Sequence, residues 1–116
     1  MESLRLFYDA EGDILDVDFR LTGEKPRRGI ELHDNVTVWT DAQGTRILRL
    51  MLLSYAKLLE QPDLVLGGLK KLPARERAGL LKLLTSDPVK RFLVCVSEKG
   101  LRFRVADPGI RAGAAA

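Results

Sequence analysis

Apolar and polar residues alternate along short runs in the first half of the chain, and turn-forming residues separate the runs. The runs occupy residues 4–8, 14–19, 29–32, 36–40 and 47–53. In the second run Leu15, Val17 and Phe19 fall on one side of an extended strand, because strand side chains alternate. Asp16 and Asp18 fall on the other side. The pattern predicts an antiparallel meander of about five strands.

Glycines mark the predicted hairpin turns. Gly12 lies in the first turn, where we expect the tight connection to need a positive φ. Gly44 ends the turn before the fifth strand, and Gly100 is placed in a later turn at a position that tolerates a left-handed backbone. The fifth run, residues 47–53, has few polar positions. This predicts a central strand, or one covered by helices or by a second subunit.

Helical spacing replaces the alternation after Ser54. Ser54 is the candidate cap of a short helix that ends near residue 60. A second helix is predicted over residues 62–71, with two glycines that weaken its middle. A third is predicted over residues 74–85, and residues 89–91 add one more turn. The third helix groups five residues on or beside one face: Arg77, Leu80, Leu81, Leu83 and Leu84.

A second hairpin is predicted near the C-terminus, with arms at residues 92–96 and 101–105. In its second arm Arg102 and Arg104 alternate with apolar residues, so we expect one packed face and one basic face. Residues 107–116 are rich in glycine and alanine and are expected to fray.

Together these elements predict one domain of the α+β class. It is a curled antiparallel β-meander packed with helices, plus a C-terminal β-hairpin that extends the sheet or swaps onto a neighbour. The segments are a meander, a helical segment, a hairpin and a flexible tail: residues 1–55, 56–91, 92–106 and 107–116. The apolar surface of the fifth strand and of the leucine-rich helices predicts a homodimer.

Composition narrows the class of protein. Of 116 residues 46% are hydrophobic and 30% charged, which is typical of an ordered globular domain. The net charge of +3 is too small to indicate nucleic-acid binding. The N-terminus enters a strand pattern directly, and no apolar run approaches the roughly 20 residues that cross a bilayer. We therefore expect a cytoplasmic protein without membrane contact.

The first half of the chain also contains a recognisable motif order: a Tyr-Asp pair, an acidic turn, Asp-x-Leu and a second hairpin. The residues of these motifs are Tyr8, Asp9, Asp13, Leu15, Val17, residues 36–38, Asp41, Gly44 and residues 47–53. This half resembles the uncharacterised bacterial domain-of-unknown-function family 2283. The resemblance implies a small curled β-meander capped by helix, and it implies no reaction. The chain departs from the family pattern at Arg49, in place of glycine, and at Met51, in place of glutamate.

Acidic residues cluster on the first hairpin, at Asp9, Asp13, Asp16 and Asp18. Carboxylates suit Mg²⁺ or Ca²⁺, so Asp13, Asp16 and Asp18 are candidate metal ligands. The favoured interpretation is a solvated sheet face with two aspartates that stabilise turns, because the spacing is not that of a Ca²⁺ loop.

Other reactive residues give weaker signals. His33 and Asp34 are adjacent on an extended chain and point apart, so a turn histidine without a catalytic role is favoured. The single cysteine, Cys95, lies in an apolar run and is interpreted as a small buried side chain. Arg102 and Arg104 could contact phosphates, but no exposed aromatic residues are interleaved with them.

The sequence therefore favours a non-enzymatic protein-interaction or regulatory module, such as an antitoxin-like partner of another small protein. No cofactor is predicted. The alternatives are a nucleic-acid-binding protein that uses Arg102 and Arg104, and a metal-dependent enzyme that uses Asp13, Asp16 and Asp18.

Overall fold

Residues 4–107 are described by a computed structural model and form two antiparallel sheets with two α-helices. The strands are β1 (Arg5–Asp9), β2 (Ile14–Asp18), β3 (Arg28–His33), β4 (Val36–Thr40), β5 (Ile47–Leu53), β6 (Leu64–Val65), β7 (Leu93–Ser97) and β8 (Arg102–Val105). The helices are α1 (Tyr55–Glu60) and α2 (Ala74–Leu84), and two 3₁₀ segments span Gly67–Lys71 and Val89–Arg91. The predicted α+β class with a C-terminal hairpin is confirmed.

The first five strands form one sheet, which we call sheet A, in the order β1-β2-β5-β4-β3. Its strand ends differ from the predicted ones by at most one residue. Alternation determines which face is buried, and the fully buried side chains of the inner face include Leu15, Val17, Val36, Val38, Leu50 and Leu52. The protein's own helices and second sheet cover this inner face. The apolar inner side of β5 is thus buried within one copy of the chain.

The C-terminal hairpin, β7 and β8, forms a separate sheet with β6, which we call sheet B. The expectation that this hairpin extends the first sheet is wrong. Leu64 of β6 pairs with Phe103 of β8, and this pairing gives the hairpin a third strand of its own. Phe103 and Val105 are buried, whereas Arg102 and Arg104 are exposed, as the alternation predicted.

The helix predicted over residues 62–71 is also wrong. The chain instead forms β6 and then the 3₁₀ segment Gly67–Lys71. A Cβ atom on Gly68 would lie 2.0 Å from the carbonyl oxygen of Glu31 and 2.8 Å from the Cα of Leu32. The segment thus lies directly on the backbone of β3, an arrangement open to glycine alone.

Three turn assignments need correction. In the first hairpin the positive φ belongs to Asp13, at 56°, and not to Gly12. In the second it belongs to Leu101, at 55°, and not to Gly100. Ser54 is itself left-handed and its side chain makes no cap hydrogen bond to α1. Aspartate tolerates the left-handed region because its short side chain can bond locally, but leucine does so only where the fold requires it.

A continuous core joins the two sheets and the helices. Leu80 and Leu84 of α2 are buried, as the helical spacing predicted. Arg77 of the same helix turns its guanidinium to the end of the 3₁₀ segment, where Nε donates to the carbonyl of Leu69 at 3.1 Å and Nη2 to that of Leu72 at 3.1 Å. Residues 108–116 of the tail that we expected to fray lie outside the described residues.

Candidate functional site

The side of sheet A opposite the core carries a mixed set of aromatic, charged and apolar residues, which we call the outer face. Strand register and alternation assign twelve side chains to it: Arg5, Phe7, Asp9, Ile14, Asp16, Asp18, Glu31, Thr37, Trp39, Arg49, Met51 and Leu53. None of them belongs to the buried class, and Phe7 is 70% exposed. Within residues 4–107, no helix or strand covers this face.

Arg49 lies at the centre of the outer face between Asp16 and Trp39. Its Nε donates to Asp16 Oδ1 at 2.9 Å, and its Nη2 bonds the second carboxylate oxygen. Its guanidinium carbon lies 4.9 Å from the ring centroid of Trp39, within cation–π range. The hydrogen bonds that Arg49 donates to Asp16 raise the pKa of Arg49 above its usual range. The indole of Trp39 lies over Gly29 of β3, where an added Cβ would be 2.9 Å from its ring nitrogen.

Asp18 forms a second ion pair at the β2 end of the same face. Arg20 donates to it from Nε at 3.0 Å and from Nη2 at 2.8 Å, and the backbone N–H of Arg20 donates at 2.9 Å. These hydrogen bonds hold the pKa of Asp18 below its usual value, although partial burial opposes the shift. Arg5, the cross-strand neighbour of Asp18, lowers this pKa further through its charge.

Asp13 does not lie on the outer face, and its side chain caps α1. Its carboxylate accepts the backbone N–H of Ala56 at 3.0 Å and the hydroxyl of Tyr8 at 2.8 Å. Its carbonyl accepts the N–H of Tyr55 at 3.0 Å. The candidate ligands Asp13, Asp16 and Asp18 therefore have different partners: a helix end, Arg49 and Arg20. Residues 4–107 contain no group of three or more His, Cys, Asp or Glu side chains that could hold a metal ion.

The remaining reactive residues lie apart from one another. His33 is in sheet A, where its Nδ1 accepts the backbone N–H of Asn35 at 3.1 Å and so stabilises the turn. Cys95 is in sheet B and half-buried, and burial raises the pKa of its thiol. A raised pKa reduces the thiolate population, which lowers the reactivity of the sulfur.

Arg102 and Arg104 lie on the outer side of sheet B, as predicted. The Nε of Arg104 donates to the carbonyl of Pro62 at 2.8 Å, which fixes that guanidinium on the sheet. The exposed apolar residues of the β6 and β7 strands that flank them are valines: Val65, Val94 and Val96. Valines offer no ring on which a base could stack.

Comparison with known proteins gives no further guide. No family model, curated protein or solved structure matches the chain. The resemblance of the first half to domain-of-unknown-function family 2283 stays a prediction. Residues 4–107 contain no helix that is long and apolar enough to span a membrane.

The grouping of Asp16, Trp39 and Arg49 is the feature that residue-by-residue interpretation missed. The signal was present in the sequence as a lone arginine in an otherwise apolar strand, next to a strand that contains the single tryptophan. What the sequence did not provide was the register. It sets Trp39 directly opposite Arg49, and it sets Asp16 opposite Met51, two residues along β5 from Arg49.

Proposed function

We propose that this protein is a non-enzymatic protein-interaction module with a regulatory role, and that the outer face is its docking surface. The observation that carries the proposal is the uncovered side of sheet A with Phe7, Trp39 and Arg49 on it. Aromatic residues and arginine are enriched in the centres of protein interfaces, where they account for most of the binding energy. An exposed sheet face of this composition is therefore better suited to a protein than to a small substrate.

The charges of the outer face indicate the chemistry of the partner. In its two ion pairs the arginine side chains are more exposed, at 38% for Arg49 and 41% for Arg20. The carboxylates are less exposed, at 24% for Asp16 and 20% for Asp18. At its two ion pairs the face thus presents guanidinium groups beside apolar side chains. The complementary occupant is an acidic, amphipathic segment of a partner protein, because opposite potentials across an interface favour association. An antitoxin-like partner of another small protein would use such a surface.

A peptide selection tests this proposal with Thr37 as the probe position. Thr37 is half-buried on β4, and its cross-strand partner is Met51 in the centre of the face. We expect a random peptide library screened against the immobilised chain to yield peptides that combine Asp or Glu with apolar residues. Thr37→Glu should weaken the selected peptide about tenfold or more, because like charges across an interface are costly. Thr37→Lys should leave binding unchanged or tighten it.

Val96→Glu is the matched control, since Val96 is exposed on sheet B and belongs to a different surface. It should leave peptide affinity unchanged. The proposal is wrong if no acidic peptide is enriched, or if Thr37→Glu and Val96→Glu have equal effects.

The predicted homodimer and cytoplasmic location belong to the same proposal. The cytoplasmic location is supported by the cysteine content, since a chain with one cysteine has no intramolecular disulfide. The inner side of β5 is covered by the same chain, so a homodimer has to form through a different surface.

Nucleic-acid binding is the second candidate, and the observation that favours it is the shared orientation of Arg102 and Arg104 on sheet B. Binding through two guanidinium groups should fall steeply with salt. Retention on a DNA or RNA column at low salt, lost in Arg102→Gln/Arg104→Gln, would support this function. Passage through the column without retention at low salt would eliminate it.

A further inference from the structure

β1 is an edge strand without the usual protection against pairing. Its register with β2 is continuous from Arg5 to Asp9, without a bulge. The other sheet edges differ: β3 has a register shift and is overlain by the segment Gly67–Lys71, β7 has a register shift, and β6 has two residues. Proteins normally shield exposed edges with bulges, prolines or covering segments, because a bare edge is a template for another strand.

The backbone of β1 points the correct groups outward for such pairing. Phe19 N donates to the carbonyl of Leu48 at 2.9 Å. Because alternate residues of an antiparallel strand bond the same neighbour, Val17 and Leu15 also form backbone hydrogen bonds with β5. The residues that alternate with them, such as Asp16, form their backbone hydrogen bonds with β1. Their partners on β1 are Arg5, Phe7 and Asp9. The alternation therefore directs the N–H and C=O groups of Leu6 and Tyr8 toward the edge.

We propose that β1 pairs antiparallel with β1 of a second copy, about a two-fold axis at Phe7. In this register Arg5 lies opposite Asp9 of the second copy, Leu6 lies opposite its Tyr8, and Phe7 lies opposite its Phe7. The two Leu6–Tyr8 pairs exchange backbone hydrogen bonds. The Phe7 pair is of the non-hydrogen-bonded type, in which side chains approach more closely.

The second copy is the occupant because the strand is complementary to itself in charge and in apolar character. Both end pairs bring arginine to aspartate, and cross-strand pairs of opposite charge and of aromatic residues are favourable. Leu6 and Phe7, 44% and 70% exposed in one copy, become covered. A register two residues away sets Arg5 opposite Phe7 and loses both ion pairs. The hydrogen bonds of Asp9 to the turn amides of Glu11 and Gly12 use Oδ1, which leaves Oδ2 for the arginine.

The dimer has the five strands of each sheet A side by side in one continuous sheet. Both outer faces lie on the same side of it, so the two docking surfaces are displayed together. A seam of one short strand per copy buries less than a standard interface. We therefore expect dissociation in the micromolar range. The inference does not depend on what the outer face binds.

Charge reversal at the two ends of β1 tests the register by sedimentation velocity from low to several hundred micromolar. Arg5→Glu alone sets carboxylates against carboxylates, and Asp9→Lys alone sets cations against cations. Each variant should be monomeric where the wild type dimerises. An equimolar mixture should form a heterodimer, because both end pairs are then attractive. Circular dichroism checks that Asp9→Lys folds, since Asp9 also stabilises its turn.

Phe7→Lys provides a second test that does not touch the turn. It places two ammonium groups at the two-fold axis and should raise the dissociation constant at least about tenfold. Val96→Lys is the control, because this side chain is 44% exposed on another edge strand, and it should leave the dissociation constant unchanged. A wild-type monomer throughout the range, a dimer unaffected by Phe7→Lys, or a mixture that stays monomeric overturns the inference. Peptide binding by the wild type at concentrations well below its dimer dissociation constant tests the docking surface separately, on the unaltered monomer.

Discussion

The Asp13 carboxylate connects the first hairpin to α1 and does so from a left-handed backbone position. The first N–H groups of a helix have no partner within the helix, and Ser54 does not supply one. Asp13 supplies it from a position 43 residues earlier in the chain. Its negative charge also lies at the positive end of the helix dipole. A residue that resembles a metal ligand in the sequence is therefore a structural cap.

Replacement of Asp13 should separate capping from backbone strain. Asp13→Asn keeps an oxygen acceptor and tolerates the positive φ, so we expect little change in the free energy of unfolding. Asp13→Gly also tolerates this φ but removes the acceptor of the Ala56 N–H and of the Tyr8 hydroxyl. The loss of these two hydrogen bonds should lower the free energy of unfolding by about 1–2 kcal/mol relative to Asp13→Asn. Urea denaturation followed by circular dichroism measures the difference. Equal stability of the two variants would show that the cap has no energetic role.

The ion pair of Asp18 and Arg20 predicts a pH dependence. The pKa of Asp18 in the folded protein is lower than its ordinary value of 3.8, chiefly because of the hydrogen bonds from Arg20. Stability from this pair is then present above the ordinary value and is lost as the pH falls through the folded pKa. Titration of the carboxyl by NMR should give a midpoint below 3.8, and Arg20→Gln should raise it. An unchanged midpoint in the variant would contradict this assignment of the cause.

At the scale of elements, the close approach of the 3₁₀ segment to β3 gives a matched pair of glycine substitutions. Gly68→Ala would push a methyl group into backbone atoms of Glu31 and Leu32, which cannot rotate away. We expect a loss of about 1–3 kcal/mol in the free energy of unfolding, typical of overpacking. Gly67→Ala meets no atom within 4 Å and should cost little or nothing. Thermal or urea unfolding distinguishes them, and similar stabilities would mean that the segment can shift away from β3.

Elements with a clear period were predictable from sequence, and elements set by long-range contacts were not. The strands of sheet A follow their period of two, and α2 follows its helical period within one residue of its predicted end. Residues 62–71 were assigned to a helix because local propensity contains no information on long-range contacts. Here those contacts are the pairing of Leu64 with Phe103 and the approach of Gly68 to β3. The Arg49 grouping needed the register of three strands, which no local pattern states.

At the scale of the whole molecule, the two sheets share one core. Phe19, directly after β2, packs against Phe92, directly before β7, with ring centroids 6.1 Å apart. The hydroxyl of Tyr55 donates to the carbonyl of Ala106 at 3.0 Å and so connects α1 to the residue after β8. One buried cluster contains residues of both sheets, among them Leu15 of β2 and Val105 of β8. Neither sheet can lose its partner without exposing this cluster to water, so we expect the two sheets to unfold together.

The single tryptophan and the single cysteine report on the two sheets separately, which makes this expectation measurable. Trp39 lies in sheet A, and Cys95 lies half-buried in sheet B. In a urea series, tryptophan fluorescence and the rate of thiol labelling in a short pulse should change at the same midpoint, because two-state unfolding gives coincident transitions. Circular dichroism of Cys95→Ser, with a similar midpoint, would show that the thiol itself is not required. If labelling accelerates at urea concentrations where the fluorescence is still native, sheet B opens on its own and the shared core does not couple the sheets.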